Sequence, residues 1–371
     1  MGLTMPLVLI MAGGRSERMR STLGPLHKAL VPVLGVPMIE RNLRSLLSQG
    51  FRELVVACSV DEPAVQDFVR LRGQALAAAC GARCEILLET EPLGTIGVAR
   101  ELRDRSSALM VVNVDNLTTL DLRELVSHHR REGVWLTIAT HTEPFKIPFG
   151  EVVVEDGKIR EYREKPTFPV TISSGTYVLS AQACSILPPA RTDIPELVRT
   201  LNEQGKKVSA FRHDSEWVDV NNAFDLDIAE RLIAGHQKRF DCSEAAPEQE
   251  EVTLLARSSE GVIVSRSTDG SWHLPSRLME GTAHASLSAL VQLIPFSLGT
   301  PSPFAVFDDF AAKGQVTRYH LYRADLRTAH TEAGSFSFLP LDFMCSQGPA
   351  NETTSVVRRA LALLRYQERL R

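Results

Sequence analysis

The chain has 371 residues, of which 44% are hydrophobic and 23% are charged, and it carries a net charge of −4. This length fits two domains of ordinary size, and the composition is that of a soluble globular protein. The weak negative charge argues against a nucleic acid as partner, and no apolar run reaches the roughly 18 residues that a membrane helix needs. The six cysteines form no Cys-x-x-Cys zinc pattern, and the N-terminus lacks the basic start of a signal peptide. We therefore expect a cytoplasmic protein that has no membrane partner.

Short apolar runs alternate with amphipathic stretches up to about residue 140. The apolar runs predict buried strands, and the amphipathic stretches predict helices. Because the strands are apolar throughout and each is followed by a helix, we expect a mostly parallel sheet covered on both faces, a doubly wound α/β domain. The predicted elements are strand 6–12, helix 38–49, strand 53–59, helix 62–71, strand 84–90, helix 98–102, strand 108–114, helix 122–131 and strand 135–141.

The pattern changes after residue 140. Asp156 and Gly157 divide residues 149–166 into two extended runs, which predicts a hairpin with a type I′ turn. Residues 240–251 are acidic and aperiodic, which predicts an interdomain linker between a first domain at 1–239 and a second at 252–371. The other predicted elements are strand 173–180, helix 194–203, strand 217–222 and helix 223–234 in the first domain, and helices 283–293 and 353–369 in the second.

Glycines and basic residues follow the first predicted strand. Gly13 and Gly14 stand where backbone N–H groups could approach a phosphate or a nucleobase without interference from a Cβ atom. Arg18 and Lys28 come next, and charged donors of this kind suit a polyphosphate. A tight turn with a solvated basic loop explains the fragment equally well, so both interpretations stay open for this segment alone.

Two carboxylates stand at the ends of predicted strands. Asp115 follows strand 108–114, and Asp219 lies within strand 217–222. The carboxyl ends of parallel strands form the crevice in which doubly wound sheets bind ligands. Two carboxylates and the oxygens of a nucleotide would make an octahedral Mg²⁺ site. The alternative is that both residues are helix caps or turn residues.

Six segments, in order, resemble the sugar-phosphate nucleotidyltransferases, the pyrophosphorylases that make nucleoside-diphosphate sugars. They cover roughly residues 5–235 and read AGGRSERMR, LHKALVPVLGVPMIE, ETEPLGTIGVA, NVDNLTTLDL, FGEVVVEDGKIREYREKP with SSGTYVLS, and WVDVNNAFDLDIAERL. The resemblance implies a Rossmann-like, GT-A-like catalytic domain. It also implies that a sugar-1-phosphate oxygen attacks the α-phosphorus of a nucleoside triphosphate and expels pyrophosphate, with Mg²⁺ as cofactor.

The resemblance implies a role for each matching residue. Arg18 would hold the leaving β- and γ-phosphates, Lys28 the nucleotide phosphates and Lys165 the phosphate of the sugar, which makes these three the predicted catalytic residues. Asp115 and Asp219 would hold Mg²⁺. The sugar would be faced by Gly150, Glu164, Lys165 and Gly175. The nucleotide would be bound by Ala12, Gly13, Gly14, Glu89, Gly94, Thr95 and Asn113.

The departures from the family pattern lie beside these residues. They are a histidine and an alanine in place of the prolines that flank Lys28, a valine in place of the glycine before Asp115, and two serines in place of the asparagine before Gly175. The charged residues are retained while the acceptor pocket is altered. We therefore expect an unusual acceptor, a heptose or cyclitol phosphate, rather than glucose-1-phosphate.

The segment Leu93–Thr95 resembles the guanylyltransferase branch of the family more than the thymidylyl branch. GTP is therefore the expected nucleotide, with uracil, adenine and cytosine nucleotides as the alternatives.

Residues 252–371 weakly resemble the Nudix fold, chiefly through residues 272–295. Ser276 and Arg277 replace the two glycines of the Nudix box, Thr282 replaces a glutamate, and the following helix lacks the carboxylates that would bind Mg²⁺. We expect a degenerate Nudix-like module that serves packing or dimerisation, with nucleotide sensing as the alternative, and no hydrolase. A homodimer through this module is a candidate assembly.

Two functions remain open from the sequence. The first is an active nucleotidyltransferase whose partners are a nucleoside triphosphate and a sugar phosphate. The second is a catalytically inactive paralogue that binds a nucleotide sugar and regulates another protein. The joint retention of Arg18, Lys28, Asp115, Lys165 and Asp219 favours the active enzyme, because a drifting pseudoenzyme loses charged residues of this kind.

Overall fold

The chain up to residue 241 builds one large sheet with helices on both sides and three two-stranded ribbons. The computed structural model of the protein describes residues 5–14, 27–241, 247–258, 261–266, 271–310, 316–326, 336–339 and 355–369. Up to residue 241, its elements are β1 (Leu7–Met11), β2 (Pro32–Val33), β3 (Val36–Pro37), α1 (Met38–Ser48), β4 (Glu53–Ser59), α2 (Pro63–Phe68), α3 (Gln74–Ala79), β5 (Arg83–Glu89), β6 (Ala108–Asn113), β7 (Asn116–Thr118), α4 (Leu122–Glu132), β8 (Leu136–Lys146), β9 (Glu151–Glu155), β10 (Lys158–Arg163), β11 (Thr167–Ser180), α5 (Ala181–Ser185), α6 (Ile194–Glu203), β12 (Val208–Arg212), β13 (Trp217–Asp219), α7 (Ala223–Gly235) and α8 (Gln237–Asp241).

The central sheet has seven strands in the order β12-β8-β11-β6-β1-β4-β5. All neighbouring strands are parallel except β11, which runs antiparallel to both β6 and β8. Apolar side chains of α1 and α4 pack on one face of this sheet, and those of α6 pack on the other. The expected mostly parallel, doubly wound sheet is therefore confirmed. This arrangement brings the carboxyl ends of β1, β5, β6, β8 and β12 to the same edge.

Local differences from the sequence prediction have physical reasons. The single helix predicted over 62–71 is instead α2, a π-helical turn at Val69–Gly73 and α3, which together run on to Ala79. Strand β8 continues to Lys146 because its second half pairs with the first half of β11, outside the central sheet. The hairpin β9–β10 is as predicted, and Asp156 and Gly157 have the positive φ angles, 52° and 73°, that a type I′ turn requires.

The chain from residue 249 onward forms a separate sheet between two helices. Its elements are β14 (Gln249–Arg257), β15 (Val262–Arg266), β16 (Trp272–His273), β17 (Ser276–Leu278), α9 (Ala283–Leu293), β18 (Ser302–Phe310), β19 (Val316–Asp325), β20 (Phe336–Leu339) and α10 (Ser355–Arg369). Apolar residues of α10 pack on one face of this sheet and those of α9 on the other.

Both ends of the segment predicted as a linker carry regular structure. Helix α8 includes Phe240, which is fully buried, and β14 begins at Gln249, while residues 242–246 lie outside the described part of the chain. Among the described helices, none is long and apolar enough to cross a membrane.

A largely buried network of ion pairs joins the first part of the chain to the second sheet. Glu40 on α1 receives hydrogen bonds from Arg44, at 2.7 Å, and from Arg72, at 3.1 Å. Arg72 also pairs with Asp309 of β18 at 2.7 Å, and Arg44 donates to the carbonyl oxygen of Asp308 at 3.1 Å. The Glu40 and Arg44 side chains are only 5% and 2% exposed, so water cannot replace these contacts. Helix α1 is thus fixed to the second sheet by charged groups that compensate one another.

We predict that Glu40→Gln lowers the free energy of unfolding by about 3–5 kcal/mol, because it leaves the buried guanidinium group of Arg44 without its carboxylate and removes one of the two carboxylates that pair with Arg72. Urea titration of the full chain measures the effect. The matched control is Asp67→Asn, which removes the exposed Arg70–Asp67 pair and is expected to cost less than about 1 kcal/mol. Equal costs for the two variants would contradict the role given to the network.

The same carboxylate predicts a dependence on pH. Burial alone would raise the pKa of Glu40, but Arg44 and Arg72 overcome it and hold the pKa far below the usual 4.5. A carboxylate with a depressed folded-state pKa stabilises the protein above its unfolded pKa and loses that effect as the pH falls. The difference in unfolding free energy between wild type and Glu40→Gln should therefore be constant near neutral pH and shrink below about pH 4.5. A difference that does not change down to pH 3 would contradict this assignment.

Candidate active site

A cleft of about 600 Å³ opens at the carboxyl ends of β1, β5 and β6. It is the crevice that the strand order creates, and it contains most of the residues predicted to bind a nucleotide. Its lining comprises Met11, Gly13, Gly14, Lys28, Glu89, Pro92, Leu93, Gly94, Thr95, Asn113, Asp115, Arg191 and Asp193.

Lys28 and Asp115 form an ion pair inside this cleft. Oδ2 of Asp115 contacts Nζ of Lys28, and Oδ1 accepts a hydrogen bond from Nδ2 of Asn116 at 3.3 Å. Asp115 and Asn116 are 8% and 4% exposed, so both are held by protein more than by water. The structure therefore brings together the predicted phosphate-binding lysine and the predicted metal-binding carboxylate, with an asparagine as their support.

His27, which replaces a proline of the family pattern, fixes the turn that carries Lys28. Its ring is 3% exposed. Nδ1 accepts a hydrogen bond from the backbone N–H of Ala29 at 3.2 Å, so Nε2 carries the hydrogen that is donated to the carbonyl oxygen of Gly14 at 2.9 Å. The glycine loop after β1 and the 3₁₀ turn at Lys28–Leu30 are thus held together by one buried side chain.

Asp219 approaches Asp115 from the short ribbon β7–β13. Asp219 stands opposite Asn116 in this antiparallel pair, so their side chains lie on the same face of the ribbon. Burial raises the pKa of Asp219, and the charge of Asp115 raises it further, while Asn221 and Lys28 lower it. A nearby cation would relieve this repulsion.

The donor atoms fit a hard divalent cation. Among the described residues, Oδ1 of Asp219 and Oδ1 of Asn116 are buried oxygens without a hydrogen-bond partner. Oxygen donors are the ligands that Mg²⁺ prefers. Within the same described ranges, no group of three or more His, Cys, Asp or Glu side chains could hold a metal ion. Phosphate oxygens of a substrate would therefore have to complete the coordination.

The loop that follows β5 forms the other wall of the cleft. Glu89 lies so close to Gly13 that a Cβ atom at Gly13 would be 1.9 Å from its carboxylate, and burial raises the pKa of Glu89. Thr95 is tied to the start of α6, where its N–H donates to Asp193 at 2.8 Å and its Oγ1 accepts the N–H of Ile194 at 3.1 Å. Gly94 has φ +80°, and a Cβ there would meet the carbonyl of Thr192 at 2.6 Å. The predicted base-binding residues thus line a wall held by α6.

The residues predicted to face the sugar are spread over a larger area. Glu164 and Lys165 follow the hairpin β9–β10, are exposed and approach each other at 4.0 Å. Lys165 has a φ of 45°, in the left-handed region. At Gly150, a Cβ atom would meet the hydroxyl of Tyr162 at 2.1 Å. The contact between Lys165 and a sugar phosphate stays a prediction.

Gly175 is the sugar-side residue that lies closest to the carboxylates. It has φ +71°, and a Cβ there would be 2.3 Å from Nδ2 of Asn116 and 3.1 Å from Nδ2 of Asn113. Only glycine therefore lets β11 pass beside the asparagine that supports Asp115.

Two predicted nucleotide contacts differ from the rest. Ala12 is fully buried in the core below the cleft, where its N–H donates to the carbonyl oxygen of Ala57 at 2.8 Å. The predicted contact of Ala12 with the base would therefore have to be made by its backbone atoms. Arg18 lies outside the described residues. Val114, which replaces a glycine, points into the core and leaves the cleft free.

The sequence prediction missed two residues that line the cleft, Arg191 and Asp193, and one that supports it, Asn116. Asn116 was hidden because its role depends on the pairing of β7 with β13. Asp193 and Arg191 precede α6, and the Asp-x-x-Glu spacing of Asp193 and Glu196 does mark a helix start. That signal gives the start of α6 but not its position beside the loop at Gly94.

The comparison with known proteins decides the family. The model of the family described as "Nucleotidyl transferase" matches residues 7–234. The chain belongs to this family. The nucleotidyl transferase match covers every cleft residue of the described structure and the ribbon that carries Asp219.

Curated relatives of this nucleotidyl transferase include two sugar-phosphate enzymes. The chain is 28% identical over 235 residues to a UTP–glucose-1-phosphate uridylyltransferase of Synechocystis sp., with 58% of this chain and 60% of that protein covered. It is 28% identical over 229 residues to the mannose-1-phosphate guanylyltransferase catalytic subunit beta of Xenopus tropicalis, with 59% and 62% covered. The chain thus spans about three fifths of the length of these relatives.

Among solved structures, HddC from Yersinia pseudotuberculosis is 22% identical, with a TM-score of 0.48, and the match covers 62% of this chain and 100% of that one.

We predict that Gly175→Ala lowers the rate of nucleotidyl transfer about 100-fold, because displacing Asn116 by 1 Å or more moves Asp115. The matched control is Gly157→Ala, whose φ of +73° is similar but whose Cβ would meet nothing within 4 Å. The control measures the strain of a left-handed alanine, about 1 kcal/mol of stability, without touching the site. An equal loss of activity in both variants would show that strain rather than the Asn116 contact is responsible.

Proposed function

We propose that this chain joins a nucleoside triphosphate, GTP in the first instance, to a sugar-1-phosphate or a sugar-like heptose or cyclitol phosphate, giving a nucleoside-diphosphate sugar and pyrophosphate. The observation that carries the proposal is the meeting of Lys28, Asp115 and Asp219 at the end of a glycine-lined cleft. Membership of the nucleotidyl transferase family and the printed activities of the two curated relatives support it.

The reaction requires positioning and neutralisation of charge rather than a general base. A phosphate oxygen of the acceptor is already ionised at neutral pH; it forms a new bond to the α-phosphorus, while the bond from that phosphorus to the bridging oxygen breaks and pyrophosphate leaves with its electron pair. Lys28 exchanges its contact with Asp115 for a contact with the nucleotide phosphates and offsets their charge. Asp115, Asp219 and Asn116 would hold Mg²⁺, which supplies further charge stabilisation.

The choice of GTP and of an unusual acceptor is supported by the sequence around the cleft. The loop Leu93–Thr95 resembles the guanylyltransferase branch, and one of the two curated relatives is a guanylyltransferase. The acceptor side has Ser173 and Ser174 where the family keeps an asparagine. Pyrophosphate release tested with ATP, GTP, CTP, UTP and dTTP against a panel of sugar and cyclitol phosphates identifies both substrates.

Different outcomes of this panel separate the functions. Release with GTP and a heptose or cyclitol phosphate supports the full proposal, whereas release with another nucleotide or with a common hexose phosphate corrects the substrates alone. Silence throughout, together with binding of a nucleotide sugar, would favour the inactive regulatory paralogue.

We further propose that the second sheet domain serves packing rather than hydrolysis. Helix α9 covers the segment predicted to correspond to the Nudix helix, and its sequence, AHASLSALVQL, contains no carboxylate. Its sheet instead contributes Asp308 and Asp309 to the buried network on α1. The Nudix-like fold of this domain remains a prediction.

We predict that Asp219→Asn and Lys28→Met each lower the rate of pyrophosphate release about 10²- to 10³-fold, because each removes charge from the site of transfer. The matched control is Asp214→Asn, since Asp214 is 86% exposed and lies just before β13. Retained activity in both site variants would contradict the proposed mechanism, whatever the identity of the substrates.

A further inference from the structure

A cluster of four polar and aromatic side chains lies at the same edge of the sheet as the cleft. We call His141, Ser174, His213 and Trp217 the histidine cluster. His141 belongs to β8, Ser174 to β11 and Trp217 to β13, while His213 directly follows β12 and its N–H donates to the carbonyl oxygen of Thr140 at 3.0 Å. The cluster therefore lies at the carboxyl end of β12 and of the segment of β8 that pairs with β12, next to Gly175.

The cluster lies on the acceptor side of the metal-binding carboxylates. The predicted base-binding loop stands beyond β1 and β4, next to β5, whereas β11, β8 and β12 lie on the other side of β6 and Asp115. Ser174 precedes Gly175, which touches Asn116, and Trp217 stands two residues before Asp219. An acceptor that attacks the α-phosphorus opposite the leaving pyrophosphate would enter from this side.

Hydrogen bonds fix the orientation of the two imidazole rings. Oγ of Ser174 donates to the carbonyl oxygen of Ala139 at 3.0 Å, so it accepts from Nε2 of His213, also at 3.0 Å. Nε2 of His141 donates to Glu143 at 3.1 Å. The ring centroid of His141 lies 5.4 Å from that of His213 and 5.9 Å from that of Trp217. In the neutral form, each histidine therefore presents the lone pair of Nδ1.

Both of these nitrogens are left unsatisfied by the protein. Nδ1 of His141 and Nδ1 of His213 are buried and have no hydrogen-bond partner in the described part of the chain, and His213 is only 6% exposed. A buried acceptor without a partner costs about 1–3 kcal/mol, so such groups in native proteins have a reason. Binding of a ligand that donates a hydrogen bond to these nitrogens would be such a reason.

The electrostatics of the cluster favour a neutral donor over an anion. Burial and the neighbouring His141 lower the pKa of His213, while Asp214 and the backbone of Ser215 act in the opposite sense. A neutral imidazole with an unpaired nitrogen lone pair repels phosphate oxygens but accepts a hydrogen bond from a hydroxyl group. The matching chemistry is a polyhydroxylated ring.

We infer that the histidine cluster binds a hydroxyl group of the acceptor, with His213 Nδ1 accepting its hydrogen, and so selects among sugar-like phosphates. This inference rests on the proposed function, since it names the part of the same site that recognises the acceptor. His213 is thereby a specificity-determining residue that binds away from the reacting phosphorus.

The test compares His213→Phe with wild type in steady-state kinetics and in calorimetric binding. Removing the acceptor nitrogen should raise KM for the phosphate acceptor about 10- to 100-fold and leave KM for the nucleotide unchanged. His213→Asn keeps a polar group near the position of Nδ1 and should recover part of the affinity. The matched control is His129→Phe, because His129 is also buried and bonded to a hydroxyl of β8, Thr137, but at the opposite end of that strand.

Acceptors that lack single hydroxyl groups make the test specific. Wild type should discriminate against one deoxy acceptor, and His213→Phe should lose that discrimination. If His213→Phe weakens nucleotide and acceptor equally, or if no deoxy acceptor is discriminated, the inference is overturned and a structural role or a buried water explains the cluster.

Binding measurements separate this inference from the proposed reaction. Glucose 1-phosphate, mannose 1-phosphate, a heptose 1-phosphate and inositol 1-phosphate serve as probes. If no pyrophosphate is released but a probe binds wild type at least about tenfold more tightly than His213→Phe, with His129→Phe unchanged, the inference stands and the transfer reaction fails. Absence of both release and binding overturns both.

Discussion

The ion pair between Lys28 and Asp115 is the interaction on which the rest of the site depends. Two carboxylates that approach each other in a partly buried place repel, and burial together with the charge of Asp115 raises the pKa of Asp219. Lys28 compensates one of the two charges in the free protein. In the proposed reaction, Lys28 would turn to the nucleotide, the carboxylates would lose their counter-ion, and a divalent cation would replace it. The same three residues would then couple binding of the nucleotide to binding of the metal.

The direction of a single strand divides this site into two halves. Strand β11 runs antiparallel to its neighbours, so the chain reaches the site at Gly175 before it passes through the sheet. The residues of β11 before Gly175 pair with the second half of β8 beyond the other strands. In the proposed function, the segments after β1, β5 and β6 would bind the nucleotide, while β8, β11, β13 and the end of β12 supply the histidine cluster. Gly175 joins the halves, since only a glycine can pass Asn116 at this distance.

Local sequence patterns predicted the strands and helices whose stability is local. Apolar runs marked β1, β4, β5 and β6 to within one or two residues, and the Asp156–Gly157 pair marked its hairpin turn. The long arms of β8 and β11 were not predicted, because half of each is stabilised only by the other. The break between α2 and α3 was also missed, since nothing in a continuous helical pattern shows a π turn.

The site divides in the same way. The sequence predicted Lys28, Asp115 and Asp219 as site residues, because glycines, basic residues and carboxylates after buried strands by themselves indicate a phosphate or metal site. Asn116, His213 and Glu40 carry no such signal: Asn116 acts through the register of β7 and β13, His213 through β12 and β11, and Glu40 through an arginine and a second sheet far along the chain. The long-range contacts of these residues fix the positions of the site residues that the sequence predicts.

Helix α1 connects the second sheet to the site. Glu40 ties this helix to the second sheet, and Asn42 on the same helix donates to the carbonyl oxygen of Val114, directly before Asp115. The packing of the second sheet therefore reaches Asp115 through one helix, although none of the described residues beyond 247 lines the cleft.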